Sequence, residues 1–262
     1  MRKYFLWISC VLFIFSISVI GWKPVSAGRS TANFKAVAAK GLFEQYAETV
    51  YQAAKLQEAG LSIEVFQKAL TGYFNLKTAN KLSQNSSVIT VVDFTKPSRE
   101  KRMWIIDLLS KQLLLNTWVA HGKGSGDDVA NAFSNNDESH QSSLGFYLTD
   151  DVYNGKHGRS LRLDGLDEGF NSNARARAIV LHAADYVSQT AIEQMGRLGR
   201  SFGCPAVSPE VVGQVINTIK GKTVLFINGN DPNYTSKYLD ENIVANFTLP
   251  DSASAAADSA KL

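Results

Sequence analysis

Seven short runs of β-type residues between positions 88 and 227 constrain the fold of this chain more than any other feature. Each run is four to seven residues long, and stretches rich in Gly, Ser, Asn and Asp separate the runs. Runs of this kind form strands, and separators of this kind form turns and loops. The sequence therefore predicts a mainly β (α+β) fold, a sheet with long loops. The runs are Val88–Val92, Met103–Leu108, Leu113–Val119, Gly145–Leu148, Ser160–Leu163, Ala178–His182 and Thr223–Ile227.

A pair of helices is predicted ahead of the sheet. Apolar residues recur at helical spacing on both sides of Gly60, which is a natural stop for the first helix. Ser62 is the candidate N-cap of the second helix, and Leu61 and Phe66 occupy the two positions of a hydrophobic staple. The two helices are expected to form a hairpin that packs on another element.

One more helix is predicted between the last two runs. It covers about Pro209 to Ile219, with Ser208 as the N-cap candidate. Proline fits the first turn of a helix because its missing N–H has no partner there.

The N-terminus has the three-part pattern of a secretory signal peptide. Arg2 and Lys3 precede an apolar run, and small residues end at Ala27. We expect cleavage after Ala27, and hence an exported chain with no stable membrane span. A retained membrane anchor is the alternative, but three serines interrupt the run and it is short for a span.

The charge balance argues against a nucleic-acid partner. The predicted signal holds three of the 27 Lys and Arg residues and no acidic residue, which leaves 24 basic and 24 acidic residues in the remainder. Nucleic-acid binding depends on phosphate neutralisation by a basic surface. The mature chain has no such excess.

Cysteine usage draws attention to one residue. Cys10 lies in the predicted signal, so cleavage leaves Cys204 as the single cysteine. Structural cysteines of exported proteins come in pairs. Cys204 is therefore either a small buried apolar residue or a thiol kept for reaction.

The neighbours of Cys204 favour reaction. His182 closes a buried-strand run, and the segment Ser201-Phe202-Gly203-Cys204 follows it. An imidazole can accept a thiol proton, and Gly203 permits a tight turn in which amide N–H groups face an oxyanion. On residue type alone, an inert core cysteine and a satisfied core histidine remain open.

His182 together with Ser201–Cys204 resembles the His…Ser/Thr-x-Gly-Cys signature of the YkuD-like L,D-transpeptidases. Several stretches are similar to a divergent branch, the murein L,D-transpeptidase catalytic domain family, and together they cover about residues 40–230. These stretches are Val92–Ser98, Val119–Gly122, Ser142–Tyr147, Gly155–Gly158 and Gly199–Pro205.

The resemblance implies a YkuD-like β-sheet core and a cysteine acyltransferase that needs no cofactor. Cys204 matches the nucleophile, His182 the base, and Ser201, Phe202 and Gly203 the surrounding motif. The implied partners are peptidoglycan stem peptides at the periplasmic or cell-wall side of a bacterial envelope. An amine acceptor would give a transpeptidase, and water would give a carboxypeptidase or endopeptidase.

With the resemblance, the chain divides into four parts. Residues 1–27 are the predicted signal peptide, 28–87 the helical hairpin, 88–230 the catalytic domain, and 231–262 a C-terminal extension with a low-complexity tail predicted to be disordered. The sequence makes no prediction of oligomeric state.

The chain departs from the main family in three places. Ala183 stands where the family usually has Gly, Phe202 where it often has His or Trp, and Pro205-Ala206 where it has an aliphatic residue and then Arg or Asn. The missing Arg removes a carboxylate-binding group. Arg200 is our candidate substitute.

Three further residues are candidates for substrate binding. His121 and His157 lie in Gly-rich loops able to frame a cleft, and Ser143 precedes Gly145. An exposed turn explains each of them equally well. We predict no metal site, because no pair of histidines has a tight ligand spacing.

Two other functions remain open from the sequence. A non-catalytic peptidoglycan-binding module would keep the fold without the chemistry. A zinc-dependent wall peptidase would use His182 and Asp185, and chelator sensitivity would identify it.

Overall fold

The computed structural model describes residues 27–84 and 86–241. The predicted signal segment up to residue 26 and the predicted disordered tail lie outside these residues. The helices are α1 (Ala27–Ala53), α2 (Ile63–Thr78), α3 (Gln189–Met195) and α4 (Pro209–Ile219), with a 3-10 helix at Lys237–Leu239. The strands are β1 (Val88–Asp93), β2 (Met103–Asp107), β3 (Gln112–Thr117), β4 (Gly145–Gly155), β5 (Gly158–Gly165), β6 (Val180–Ala183), β7 (Ala206–Val207) and β8 (Val224–Asn228).

The strands form one mixed sheet in the order β3-β2-β1-β8-β4-β5-β6-β7. β1 pairs with β8, and β6 with β7, in parallel; the other neighbours are antiparallel. All seven predicted runs contain a strand, so the predicted α+β fold is confirmed. The sequence missed the two-residue β7 and the short helix α3.

Strand alternation divides the core between the two faces of the sheet. Val91 and Phe226 pack in a cluster with both helices of the hairpin. Val92 and Leu225, their sequence neighbours, pack in a second cluster with α4. Successive strand residues point to opposite faces. The sheet is therefore the middle layer between the hairpin and α4.

The predicted helical hairpin is present, with a different end to its first helix. Helix α1 ends at Ala53, and turns occupy the chain up to Gly60. The Ser62 hydroxyl accepts from the Val65 N–H, which confirms the predicted N-cap. The Trp104 indole N–H donates to the Ala59 carbonyl at 2.8 Å, so β2 holds the turn between the helices.

Helix α4 has the predicted bounds, and its predicted N-cap residue is confirmed. Ser208 occupies the N-cap position without a side-chain capping bond. The fixed φ of Pro209 in the first turn favours the helix start without that bond.

The described part of the C-terminal extension packs on the sheet. Buried Asp167 accepts hydrogen bonds from the Tyr234 and Ser236 hydroxyls at 2.8 and 2.6 Å. The Asn75 amide of α2 donates to the Tyr238 carbonyl at 2.6 Å. Residues 234–238 are thus tied both to the sheet and to the hairpin.

Candidate active site

Cys204 lies in a tight turn that Ser201 closes. The Ser201 hydroxyl donates to the Cys204 carbonyl at 2.6 Å and accepts from the Gly203 N–H at 3.0 Å. Because the Ser201 side chain is buried, these two bonds have little competition from water. The signature serine therefore fixes the main chain around the thiol.

Gly203 has a conformation and a position that only glycine suits. Its φ is +123°, and an added Cβ would lie 2.8 Å from the Gln141 carbonyl oxygen. A Cβ on Gly122 would lie 2.8 Å from the Gly203 Cα atom. Ser142 joins these two glycines, donating to the Gly203 carbonyl at 3.2 Å and accepting from the Gly122 N–H at 3.0 Å. The loops of residues 122–142 thus support the cysteine turn from one side.

The Cys204 sulfur lies against the start of β6. It accepts from the Val180 N–H at 3.4 Å and donates to the Ala178 carbonyl at 3.7 Å. Burial raises the pKa of the Cys204 thiol, while the Val180 N–H and the charge of Arg177 act in the opposite direction. The side chain is half-buried, and the sulfur is held as a neutral thiol in the free protein.

His182 lies on β6 in register with Ala206 of β7. Its side chain is 4% exposed. A carbonyl only accepts, so the 2.8 Å contact between Nδ1 and the Ala183 carbonyl places a proton on Nδ1. Burial, and less strongly the charge of His157, lowers the pKa of His182. The imidazole is therefore neutral, with Nε2 as its acceptor.

β6 brings the sulfur and the imidazole to the same strand. The sulfur contacts the main chain of Val180, and His182 lies two positions further along the strand, with about 7 Å between the two Cα atoms. Among the described residues, no hydrogen bond joins Cys204 to His182. Contacts between catalytic groups are often long before substrate binds.

His157 reaches the site from the turn between β4 and β5. Its exposed ring stacks on the ring of His182, with centroids 4.5 Å apart. Of the three histidines outside the signature, it is the one that contacts His182.

His121 is not at the surface, although its Gly-rich loop was predicted to frame a cleft. It is fully buried, and the Arg102 guanidinium donates to its Nδ1 atom at 2.7 Å. Burial, together with the Arg102 charge, lowers the pKa of His121 to about 4. Because Arg102 has no acceptor atoms, the proton of neutral His121 is on Nε2, facing the Gly126 carbonyl at 3.4 Å. His121 is a core residue rather than a wall of the cleft.

Arg200 and Ser143 are engaged within the protein. The Arg200 guanidinium donates to the Gly126 carbonyl at 2.8 Å and pairs with Asp127 at 3.2 Å. Ser143 is buried; it donates to the Ser134 carbonyl at 2.7 Å and accepts from Arg177 at 2.6 Å. Their predicted roles in substrate binding stay predictions, and their contacts in the structure hold neighbouring loops together.

Phe202 is the exposed member of the cysteine turn. Its side chain is 64% exposed, its ring contacts the ring of His140 at 4.7 Å between centroids, and the Lys123 Nζ lies 4.3 Å from the centre of the Phe202 ring. It therefore offers an open aromatic face beside Cys204.

Sequence reasoning missed two residues near the sulfur. The charge of Arg177 acts to lower the pKa of the Cys204 thiol. Burial, and to a smaller degree the charge of Cys204, raises the pKa of Tyr186 to about 12. Tyr186 is hence a neutral phenol at physiological pH. The only signal that the sequence offered was their position. Arg177 lies just before the strand of His182, and Tyr186 lies four residues after His182.

The described residues hold no group of three or more His, Cys, Asp or Glu side chains placed to bind a metal. Asp185, paired with His182 in the zinc alternative, is exposed. No described helix is long and apolar enough to cross a bilayer.

No curated protein matches the chain. Among solved structures, the L,D-transpeptidase from Mycobacterium smegmatis is 12% identical with a TM-score of 0.34, over 55% of this chain and 59% of that one. The L,D-transpeptidase (Yku) from Stackebrandtia nassauensis is 11% identical with a TM-score of 0.35, over 65% and 69%. The helical cell shape determining protein Pgp2 (K307A mutant) from Campylobacter jejuni is 10% identical with a TM-score of 0.39, over 67% and 62%. The chain thus spans less than two thirds of the M. smegmatis protein.

The family comparison covers more than half of the chain. A family model described as the L,D-transpeptidase catalytic domain (YkuD_2) matches residues 57–228, from the turn before α2 to the end of β8. This range includes His182, Cys204 and the whole sheet. The chain therefore belongs to the YkuD_2 family of L,D-transpeptidase catalytic domains.

Proposed function

We propose that this protein is an exported cysteine acyltransferase that acts on peptidoglycan stem peptides, with Cys204 as nucleophile and His182 as general base. One observation carries the proposal. The Cys204 sulfur accepts from the Val180 N–H at the start of the strand that bears His182, and the Nδ1–H of His182 is held by the Ala183 carbonyl, which leaves Nε2 as the proton acceptor. Family membership supplies the reaction class, acyl transfer between L- and D-centres.

The first half-reaction forms a thioester. The Cys204 proton moves to Nε2 of His182, and the thiolate attacks a carbonyl carbon of the stem peptide. The tetrahedral oxyanion then collapses, the C–N bond breaks, and His182 gives its proton to the leaving amine. A peptide bond is replaced by a thioester, and the enzyme holds no extra proton.

The Cys204 N–H is the best donor for the oxyanion. The Gly203 N–H is already donated to Ser201, so it is not free for this role. No hydrogen bond among the described residues uses the Cys204 N–H. An amide directed at the developing charge is worth about 3 kcal/mol in acyl transfer.

The second half-reaction releases the acyl group. An incoming amine attacks the thioester, His182 takes its proton, and the sulfur leaves as a thiolate that is reprotonated from His182. An amine acceptor gives a cross-link, and water in its place gives a carboxypeptidase or an endopeptidase.

The test compares products from purified muropeptides by mass. We expect the mature wild-type protein to release a terminal D-amino acid, form a direct cross-link or cut an existing bridge. Cys204→Ala and His182→Ala should form none of these products while remaining folded by circular dichroism. Undiminished product from Cys204→Ala would reject the proposal.

Export is tested on the full-length precursor. We expect the mature protein in the envelope fraction with an N-terminus at Gly28, determined by intact mass. An unprocessed chain in that fraction would instead indicate a retained anchor.

A non-catalytic peptidoglycan-binding module is the second candidate, and two observations favour it. Burial raises the pKa of the Cys204 thiol, and no hydrogen bond joins Cys204 to His182 in the described residues. A binding module should label slowly with iodoacetamide near neutral pH and retain murein binding after labelling. An acyltransferase should be labelled stoichiometrically at Cys204 and should then no longer form product from muropeptides.

A further inference from the structure

Arg177 lies next to Gly203 of the cysteine turn, and the acceptors of its four side-chain hydrogen bonds are all neutral. Its Nη1 atom donates to the Ser134 carbonyl at 2.7 Å and to the Ser143 hydroxyl at 2.6 Å. Its Nη2 atom donates to the Ser139 hydroxyl at 3.1 Å and to the Gln141 carbonyl at 2.9 Å. These bonds fix the guanidinium and hold residues 134–143 together.

These four bonds limit the number of N–H groups with which Arg177 can bind a substrate. A guanidinium has five N–H groups, and a bidentate grip on a carboxylate needs two of them. Four are already occupied, so Arg177 is not available as a fork for a substrate carboxylate. What remains free is its charge.

The charge has no acidic partner. Among the described residues, Arg177 forms no ion pair. Arg175, two positions earlier on the same loop, pairs with both Asp164 and Asp150. The loop therefore carries one neutralised and one unneutralised guanidinium.

The unneutralised charge is next to the nucleophile. The Nη2 atom lies 3.5 Å from the position of a Cβ atom built on Gly203, the residue before Cys204. The next residue after Arg177 is Ala178, whose carbonyl accepts from the Cys204 sulfur. Arg177 thus approaches the sulfur from the glycine side and along the main chain.

We propose that Arg177 is a positioning residue whose fixed positive charge stabilises the Cys204 thiolate, while its hydrogen bonds hold Gln141 against the cysteine turn. This inference rests on the proposed function, since it assigns a role in activating the same thiol. Arg177 stays protonated throughout and exchanges no atom; the Cys204 proton passes to His182.

The thiol needs such a charge because its other neighbours do not supply one. The titratable groups on β6 and on the loop that follows it are His182 and Tyr186, and both are neutral in the free protein. Without Arg177, only the Val180 N–H would act against the desolvation of a half-buried thiolate.

The test measures the pH dependence of Cys204 alkylation. The mature protein is treated with iodoacetamide between pH 5 and 10, and the rate is followed by intact mass. Arg177→Met should raise the apparent thiol pKa by about one pH unit. Arg177→Lys keeps the charge and should leave that pKa close to the wild-type value. Arg175→Met is the matched control and should also leave it unchanged.

Comparison of the variants separates the effect of the Arg177 charge from the effect of its hydrogen bonds. Equal shifts in Arg177→Met and Arg177→Lys would overturn the inference, as would no shift in either variant. Should Arg177→Met not fold, Arg177→Gln keeps two N–H donors and replaces it with the same expectation. Folding is checked by thermal unfolding of each variant.

Failure of the inference differs from failure of the proposed function. Alkylation reports only on the thiol and needs no murein substrate. Product formation by Cys204→Ala would reject the proposed function whatever the alkylation data show. Loss of product in Cys204→Ala without a thiol shift in Arg177→Met would reject only the role of Arg177.

Discussion

The ring of His157 stacks on the ring of His182, with 4.5 Å between the centroids and 27° between the planes. His157 is exposed on the turn between β4 and β5, whereas His182 is buried on β6. The turn therefore covers one face of the proposed base. Burial is the largest cause of the lowered His182 pKa, and the charge of His157 adds to it.

His157→Ala should raise the pKa of His182. The substitution exposes the His182 ring and removes a like charge, and both changes favour the protonated imidazole. The imidazole protons of His182 can be titrated by NMR in wild type and variant. His157→Phe, which keeps an aromatic cover, should give a smaller rise. A fall in the His182 pKa in His157→Ala would contradict this explanation.

Ser201→Ala should lower both activity and stability. It removes the bond to the Cys204 carbonyl and the acceptor of the Gly203 N–H, with an expected loss of about 1–3 kcal/mol in unfolding free energy. A displacement of the nucleophile by about 1 Å is enough for a 100-fold loss of activity. Ser201→Thr keeps the hydroxyl and should retain most activity. Equal activity in Ser201→Ala and wild type would show that the cysteine turn keeps its conformation without the Ser201 hydrogen bonds.

Gly203→Ala should both destabilise the protein and abolish product formation. The added Cβ meets the Gln141 carbonyl at 2.8 Å in a backbone with φ of +123°. A residue held in such a conformation costs about 1–3 kcal/mol. The matched control is Gly213→Ala in α4, where an added Cβ meets nothing within 4 Å. It should stabilise the helix by about 0.5–1 kcal/mol. Chemical denaturation of both variants makes the comparison.

Most of the strands and helices were predictable because their signals are local. The runs at Val88–Val92 and Thr223–Ile227 each carry their own β-type composition, and Ser62 carries its own capping signal. The short strand β7 was missed because Ala206 and Val207 pair with β6 through the fold rather than through a pattern of their own.

The candidate site was predictable only where it follows the family signature. His182 and Cys204 were found in this way, although their roles stay a proposal. The buried position of His121 was not predicted, because a Gly-rich segment suggests an exposed turn. Its partner Arg102 is 19 residues away in the chain. The contacts of Arg177 were not predictable either. Its hydrogen bonds reach residues 34 to 43 positions earlier in the chain, and contacts at such separations produce no periodic pattern in the sequence.

The Arg102–His121 pair should make stability depend on pH. The pKa of His121 is lowered from 6.5 to about 4 in the folded protein, so the unfolded chain binds the additional proton between these values. Stability from this residue is therefore complete above pH 6.5 and is lost as the pH falls toward 4, by about 3 kcal/mol in total. Urea unfolding at pH 7, 5 and 4 measures the loss. Asn at position 121 offers an acceptor to Arg102 and cannot be protonated in this range, so His121→Asn should lose less stability than wild type across the same interval. Parallel losses in the two proteins would assign the acid sensitivity to carboxylates elsewhere, because only the difference between the proteins reports on His121.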